Sequence, residues 1–63
     1  MSLENYEIRL LDSSTRELVR VTRQAENLEA AKRQAESVVI AGARRYRILL
    51  HGDQLAAGIL PDR

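Results

Sequence analysis

The 63-residue chain contains no cysteine and a single histidine, His51. Without cysteine it can form neither a disulfide nor a thiolate metal site, and one histidine cannot build a zinc site alone. A domain of this size buries only about 60% of its unfolded surface, and usually needs a disulfide, a metal or an oligomer for stability. Because the first two are missing, we expect a homodimer and no cofactor.

A charge imbalance and a long apolar run are missing as well. Ten Lys and Arg oppose nine Asp and Glu, and a net charge of +1 is no electrostatic argument for nucleic acid or an anionic membrane. No stretch of about 18 apolar residues is present, so we expect no transmembrane helix. Residues 1–5 lack the basic and apolar regions of a signal peptide. We therefore expect one domain, residues 1–63, in the cytoplasm.

The first third of the chain has the alternation typical of half-buried strands. Apolar and charged residues alternate over residues 6–11, and the pattern returns over residues 17–23. The segment between them, residues 12–16, has the composition of a turn. These two segments and the turn predict a β-hairpin. Its predicted register pairs inward residues with each other, Leu10 with Val19 and Ile8 with Val21.

An amphipathic helix is predicted next. Asn27 is a good N-cap, Glu29 lies in the first turn, and Gly42 is the predicted residue that ends the helix. The apolar residues follow the 3, 4, 7 spacing of one helical stripe. These residues are Leu28, Ala31, Ala35, Val38, Val39 and Gly42. The stripe is alanine-rich, so the helix can lie close to a sheet.

A second hairpin is predicted at the C-terminal end, with Gly52-Asp53 as a two-residue turn. This turn opposes Ile48 to Ala57, and it assigns one set of residues to the core. The set is Tyr46, Ile48, Leu50, Leu55, Ala57 and Ile59.

These elements predict an α+β domain of ββαββ order, a four-stranded, mainly antiparallel sheet with one helix packed on one face. Two strand orders agree with the pattern. We favour 2-1-3-4, which makes every neighbouring pair antiparallel, over 1-2-3-4 with a central parallel pair, because antiparallel pairs are commoner.

The opening strand resembles that of short uncharacterised bacterial proteins of ββαββ type. Residues 6–12, Tyr-Glu-Ile-Arg-Leu-Leu-Asp, match their Tyr-x-Ile-x-Leu-Leu-Asp opening, and the helix and final hairpin match in outline. The chain departs from them at residues 13–15, where Ser-Ser-Thr replaces an Asp-Gly type of turn, and it has no tryptophan in the third strand. The resemblance implies the fold and no activity.

The side of the sheet away from the helix is the candidate functional surface. Arginines and leucines would share it, and we name as candidate contact residues Arg9, Leu11, Leu18, Arg20, Arg47 and Leu49. Arginine can bind a carboxylate or a phosphate bidentately. The simpler interpretation is a solvated face on which each arginine pairs with a glutamate. The contact hypothesis requires Arg9, Arg20 and Arg47 to lie side by side without such neutralisation.

Three functions remain to be weighed. The first is a non-catalytic, homodimeric protein-interaction domain, with the exposed leucines or an edge strand as the interface. The second is a small nucleic-acid-binding or regulatory protein that uses the arginines, but both tyrosines are predicted to face the core, which removes the base stacking that such sheets use. The third is an enzyme, which we do not expect, because His51 beside a tight turn has no serine or cysteine nucleophile near it in sequence.

Overall fold

A computed structural model describes residues 2–61 as four strands and one helix in the predicted ββαββ order. The strands are β1 (Glu4–Leu11), β2 (Glu17–Ala25), β3 (Arg45–Leu50) and β4 (Asp53–Ile59), and α1 spans Leu28–Ser37. The sheet has the order β2-β1-β3-β4 with all pairs antiparallel, which confirms the predicted α+β class and the favoured strand order. The helix carries the chain from one edge strand across the sheet, so that β3 can pair with β1.

The first hairpin has the predicted register. Leu10 opposes Val19 and Ile8 opposes Val21. The register shifts between Leu10 and Leu11, and Leu11 opposes Glu17, which leaves Leu18 as the extra residue of a β-bulge.

The loop of this hairpin is built around Asp12. Its carbonyl accepts a hydrogen bond from Thr15 N at 3.0 Å, and its side chain accepts from Ser14 N at 2.8 Å and Arg16 N at 2.9 Å. Thr15 follows in the left-handed region with φ of 66°. A turn followed by a left-handed residue is a common three-residue hairpin loop, but glycine usually occupies that position, and a β-branched residue there is strained.

Replacing Thr15 by glycine is therefore expected to stabilise the fold. The change removes the contact between Cβ and backbone that disfavours φ of 66°, and part of the gain is lost to backbone entropy. We expect the free energy of unfolding to rise by about 0.5–1 kcal/mol in urea denaturation. The matched control is Ser14→Gly, which relieves no positive φ and is expected to destabilise. Equal or lower stability of Thr15→Gly would show that the loop holds Thr15 without strain.

The core lies between α1 and the sheet. Its buried residues are Tyr6, Ile8, Leu10, Ala25, Ala31, Ala35, Tyr46 and Ile48. The fully buried residues of the helix are alanines, so its backbone lies close to the strands, and Leu28 packs partly buried at its first turn. Gln34 Nε2 donates a hydrogen bond of 2.7 Å to Gln24 O. Asn27 is the N-cap as predicted, with its side-chain oxygen accepting from Ala30 N at 2.9 Å. No helix within residues 2–61 has the length and apolarity needed to cross a bilayer.

The predicted end of the helix is wrong. The helix stops at Ser37, and Val38 is already extended, with φ of −79° and ψ of 121°. Three consecutive β-branched residues, residues 38–40, follow, and such residues lose side-chain freedom in a helix. Val38 still packs against the core, but Val39 is 72% exposed, and Gly42, with φ of 85°, serves the connection to β3.

The predicted register of the second hairpin is also wrong. The turn residues are His51 and Gly52, with φ of 52° and 85°, so Leu50 opposes Asp53. Positive φ at both central residues is the requirement of a type I′ turn, and it places the turn one residue earlier than Gly52-Asp53.

A bulge then brings Ala56 opposite Ile48 and Gly58 opposite Tyr46. Ala56 and Gly58 therefore share the helix side of the sheet, whereas Ala57 and Ile59, opposite Arg47 and Arg45, lie on the other side, and Leu55 is the extra residue of the bulge. Leu55 is 45% exposed, Ile59 is 76% exposed, and Ala57 is exposed too. The β3 half of the prediction is confirmed, because Tyr46 and Ile48 are buried and Leu50 packs against the core.

Candidate contact face

The open face is the side of the sheet turned away from α1, and its arginines lie in one row. Arg9 on β1 opposes Arg20 on β2 and Arg47 on β3, and Ala57 on β4 opposes Arg47. The three arginines are therefore side by side on neighbouring strands, about 4.8 Å apart along the row at the backbone. This is the first condition that the contact hypothesis sets.

Two of these arginines have carboxylate partners. Arg9 Nε lies 2.7 Å from Glu7 Oε2 and 3.6 Å from Glu17 Oε1. Arg20 Nη2 lies 3.1 Å from Glu17 Oε1, and Arg20 Nη1 lies 3.8 Å from Glu7 Oε1. Hydrogen bonding to the Glu17 carboxylate, and then its charge, raise the pKa of the Arg20 guanidinium further above its usual value. The four side chains form a neutral network, so β1 and β2 present little net charge to a partner.

Arg47 is different. No carboxylate of residues 2–61 lies within 4.0 Å of its guanidinium nitrogens, and the same holds for Arg45, two residues earlier on the same face. Arg45 opposes Leu11 on β1 and Ile59 on β4. Arg45 was not among the candidate contact residues, although the alternation of the predicted strand already places it on the same face as Arg47.

The leucines of the candidate face offer a partner little surface. Leu11 is 3% exposed and Leu49 is 8% exposed, so both lie at the floor of the open face among longer side chains. Leu18 is 43% exposed at the bulge of β2, and its Cδ1 lies 3.9 Å from the position that a Cβ on Gly42 would occupy. The apolar surface that motivated self-association through this face is thus mostly covered, while the binding role of the arginines stays a prediction.

A shallow hollow of about 270 Å³ opens beside Arg45 and Arg47. It is lined by Leu11, Thr15, Arg45, Tyr46, Arg47, Ala57, Gly58 and Ile59. Its walls are apolar on the β1 and β4 sides, with the two guanidinium-bearing residues of β3 between them. Sequence reasoning missed Ala57 and Ile59 here because the predicted register turned them towards the core.

The two edge strands of the sheet differ in charge. Edge strand β2 carries Glu17, Arg20 and Arg23, whereas residues 54–59 of edge strand β4 carry no charge and include the exposed Leu55 and Ile59. Charged side chains on an edge discourage pairing with another chain, and an uncharged apolar edge invites it.

Comparison with family models, with curated proteins and with solved structures finds no match to the chain. The resemblance noted in the sequence therefore rests on structural motifs alone, and the order β1-β2-α1-β3-β4 agrees with it. A small ββαββ domain with an open, arginine-bearing sheet face is the description that the residues support.

Proposed function

We propose that this chain is a non-catalytic protein-interaction domain that acts as a homodimer, with β4 of each subunit paired edge to edge. The observation that carries the proposal is the composition of the β4 edge. It is uncharged over residues 54–59, it exposes Leu55 and Ile59, and within residues 2–61 it has a paired neighbour only on the β3 side. A cytoplasmic location, expected from the sequence, and a bacterial source, implied by the resemblance, are part of this proposal.

A two-fold axis at Ala57 accounts for the placement of the exposed residues. Antiparallel pairing of two β4 strands about this axis sets Leu55 of one subunit opposite Ile59 of the other, and Ile59 opposite Leu55. Ile59 shares the open face with Ala57 by the alternation of a strand, and Leu55 is the extra residue of the β4 bulge, between Gln54 and Ala56. The pairing would join the two sheets into one continuous eight-stranded sheet. Aliphatic cross-strand pairs of this kind stabilise antiparallel sheets.

The other surfaces support a dimer less well. Pairing through β2 about an axis at Arg20 would bring this arginine against its own copy, and charged side chains on an edge strand discourage pairing with another chain. Stacking of two open faces would bury the Glu7–Arg9–Glu17–Arg20 network, and removing charges from water is costly even when they are paired.

The test is a lysine substitution on each edge strand. Leu55→Lys places a charge on the proposed interface, and we expect the protein to sediment as a monomer of 7.1 kDa at micromolar concentration, where the unmodified chain sediments at twice that mass. Leu18→Lys is the matched control, because Leu18 is 43% exposed against 45% for Leu55 and lies on the opposite edge. We expect the control to remain dimeric.

Two results would overturn this assignment. If the unmodified chain sediments as a monomer, the proposed homodimer is wrong. Association that survives Leu55→Lys but is lost in Val39→Lys would move the interface to the apolar connection of residues 38–43, where Val39 is 72% exposed.

A small nucleic-acid-binding or regulatory protein is the second candidate, favoured by the uncompensated charges of Arg45 and Arg47. The burial of Tyr6 and Tyr46 in the core counts against it, since an open face without aromatic side chains cannot stack bases. A salt-dependent mobility shift with single-stranded RNA, together with a nucleic-acid absorbance in the purified protein, would favour this candidate over the first.

A further inference from the structure

We propose that the hollow beside Arg45 and Arg47 binds an acidic side chain of an extended protein segment, together with an aliphatic side chain two residues away from it. The inference rests on the proposed interaction function, because it names the chemistry of a partner, but it does not depend on the β4 dimer. Four observations support it.

The first is charge. Among the described residues of the open face, four guanidinium groups stand against the two carboxylates of Glu7 and Glu17, and both carboxylates are engaged by Arg9 and Arg20. Arg45 and Arg47 therefore leave two positive charges next to the hollow. Neither side chain makes a hydrogen bond to another residue of the described part of the chain, so their donors are available to a ligand.

The second is geometry. Arg45 and Arg47 are two residues apart on one strand, which separates their Cα atoms by about 7 Å and points both side chains out of the same face. Two guanidinium groups on long stems at that spacing can converge on one carboxylate from opposite sides, each with parallel N–H donors.

The third is the apolar part of the hollow. Leu11, Ala57 and Ile59 line it beside the two arginines, and its volume of about 270 Å³ is below the roughly 300–1,000 Å³ of pockets that enclose a whole small molecule. The hollow therefore fits one side chain of a larger chain. In an extended segment, residues i and i+2 point the same way, so an acidic residue between the arginines places the residue two positions on over the hollow.

The fourth is the conformation of Thr15. This β-branched residue lines the hollow with φ of 66°, a conformation that glycine would adopt without strain. Strained backbone of this kind concentrates at sites that bind ligands. The strain supports the site without identifying its ligand, which the charge and the apolar walls do.

The experiment is a titration of the ¹⁵N-labelled protein with a capped peptide, Gly-Ser-Glu-Ser-Leu-Ser-Gly, followed by amide chemical shifts. We expect the largest shifts in β3 and β4. Two altered peptides, one with Gln in place of Glu and one with Ser in place of Leu, are each expected to bind about tenfold more weakly, because each loses one of the two contacts.

Two double variants test the residues. Arg45→Gln with Arg47→Gln is expected to weaken binding of the peptide by about tenfold or more, the loss of charge-assisted bidentate contacts. The matched control, Arg23→Gln with Arg33→Gln, removes the same charge from other surfaces, and we expect it to bind within about twofold of the unmodified protein. Leu55→Lys, the interface variant, is expected to bind the peptide normally, so a failed dimer and a failed peptide site give different results.

Several outcomes would overturn the proposal. If peptide binding falls equally in both double variants, the peptide is attracted by the net charge of the protein and not by a site at Arg45 and Arg47. If the Gln peptide binds as tightly as the Glu peptide, the ligand does not need an acidic side chain. If the Ser peptide binds as tightly as the Leu peptide, the ligand does not need an aliphatic side chain. Butyrate that binds as well as the peptide would make the ligand a free carboxylate, and single-stranded oligothymidylate that binds more tightly than the peptide would make it a nucleic acid.

Discussion

Replacing Ile48 by alanine is expected to remove a large part of the free energy of unfolding of the protein. Ile48 is fully buried at the centre of the sheet, opposite Ile8 on β1 and Ala56 on β4. Truncation of a buried isoleucine to alanine costs about 2–5 kcal/mol, because it loses apolar burial and leaves a cavity. At about 0.05–0.15 kcal/mol per residue, a 63-residue domain has a total stability of roughly 3–9 kcal/mol. The expected loss is thus a large part of the whole.

The measurement is urea denaturation followed by circular dichroism. Ile40→Ala is the control, since it makes the same chemical change at a residue that is 37% exposed in the connection after the helix. We expect the control to lose less than about 1 kcal/mol. If Ile48→Ala were no more destabilising than Ile40→Ala, the buried position of Ile48 and with it the register of β3 would be wrong.

Replacing Gly58 by alanine is expected to destabilise the fold, although the same change in an ordinary strand stabilises it. A Cβ on Gly58 would lie 2.7 Å from Tyr46 Oη and 2.8 Å from both Cε1 and Cζ of the same ring. Because Tyr46 is only 9% exposed and packs in the core, its ring cannot move aside freely. Overpacking of this kind costs about 1–3 kcal/mol.

The sign of the effect makes this test specific. With no steric conflict, alanine at a strand position is favoured over glycine by about 0.5–1 kcal/mol. A double-mutant cycle with Tyr46→Leu removes the ring from the contact, and in that background Gly58→Ala is expected to be neutral or stabilising. A stabilising effect of Gly58→Ala in the unmodified protein would contradict the packing of Tyr46 over β4.

The open face shows how much of a candidate site can be predicted from the sequence. Alternation along β1, β2 and β3 was enough to predict that Arg9, Arg20 and Arg47 share one face. It could not show that Glu17 lies beside both Arg9 and Arg20, because that contact depends on the bulge between Leu10 and Leu11 and on the pairing of strands. The hollow could not be predicted from the sequence either, because the β4 residues that line it are set by the register of the second hairpin.

The sequence by itself determined the elements of this protein. Alternating strands, the Asn27 cap and the alanine stripe specify ββαββ, because side-chain period and capping are local properties of the chain. Only the tertiary structure decided where the second hairpin turns, that Leu55 and Ile59 are exposed, and that Leu11 and Leu49 are covered. Those outcomes depend on positive φ at His51 and on contacts between residues far apart in the chain, and a one-residue change in register exchanges the two faces of a strand.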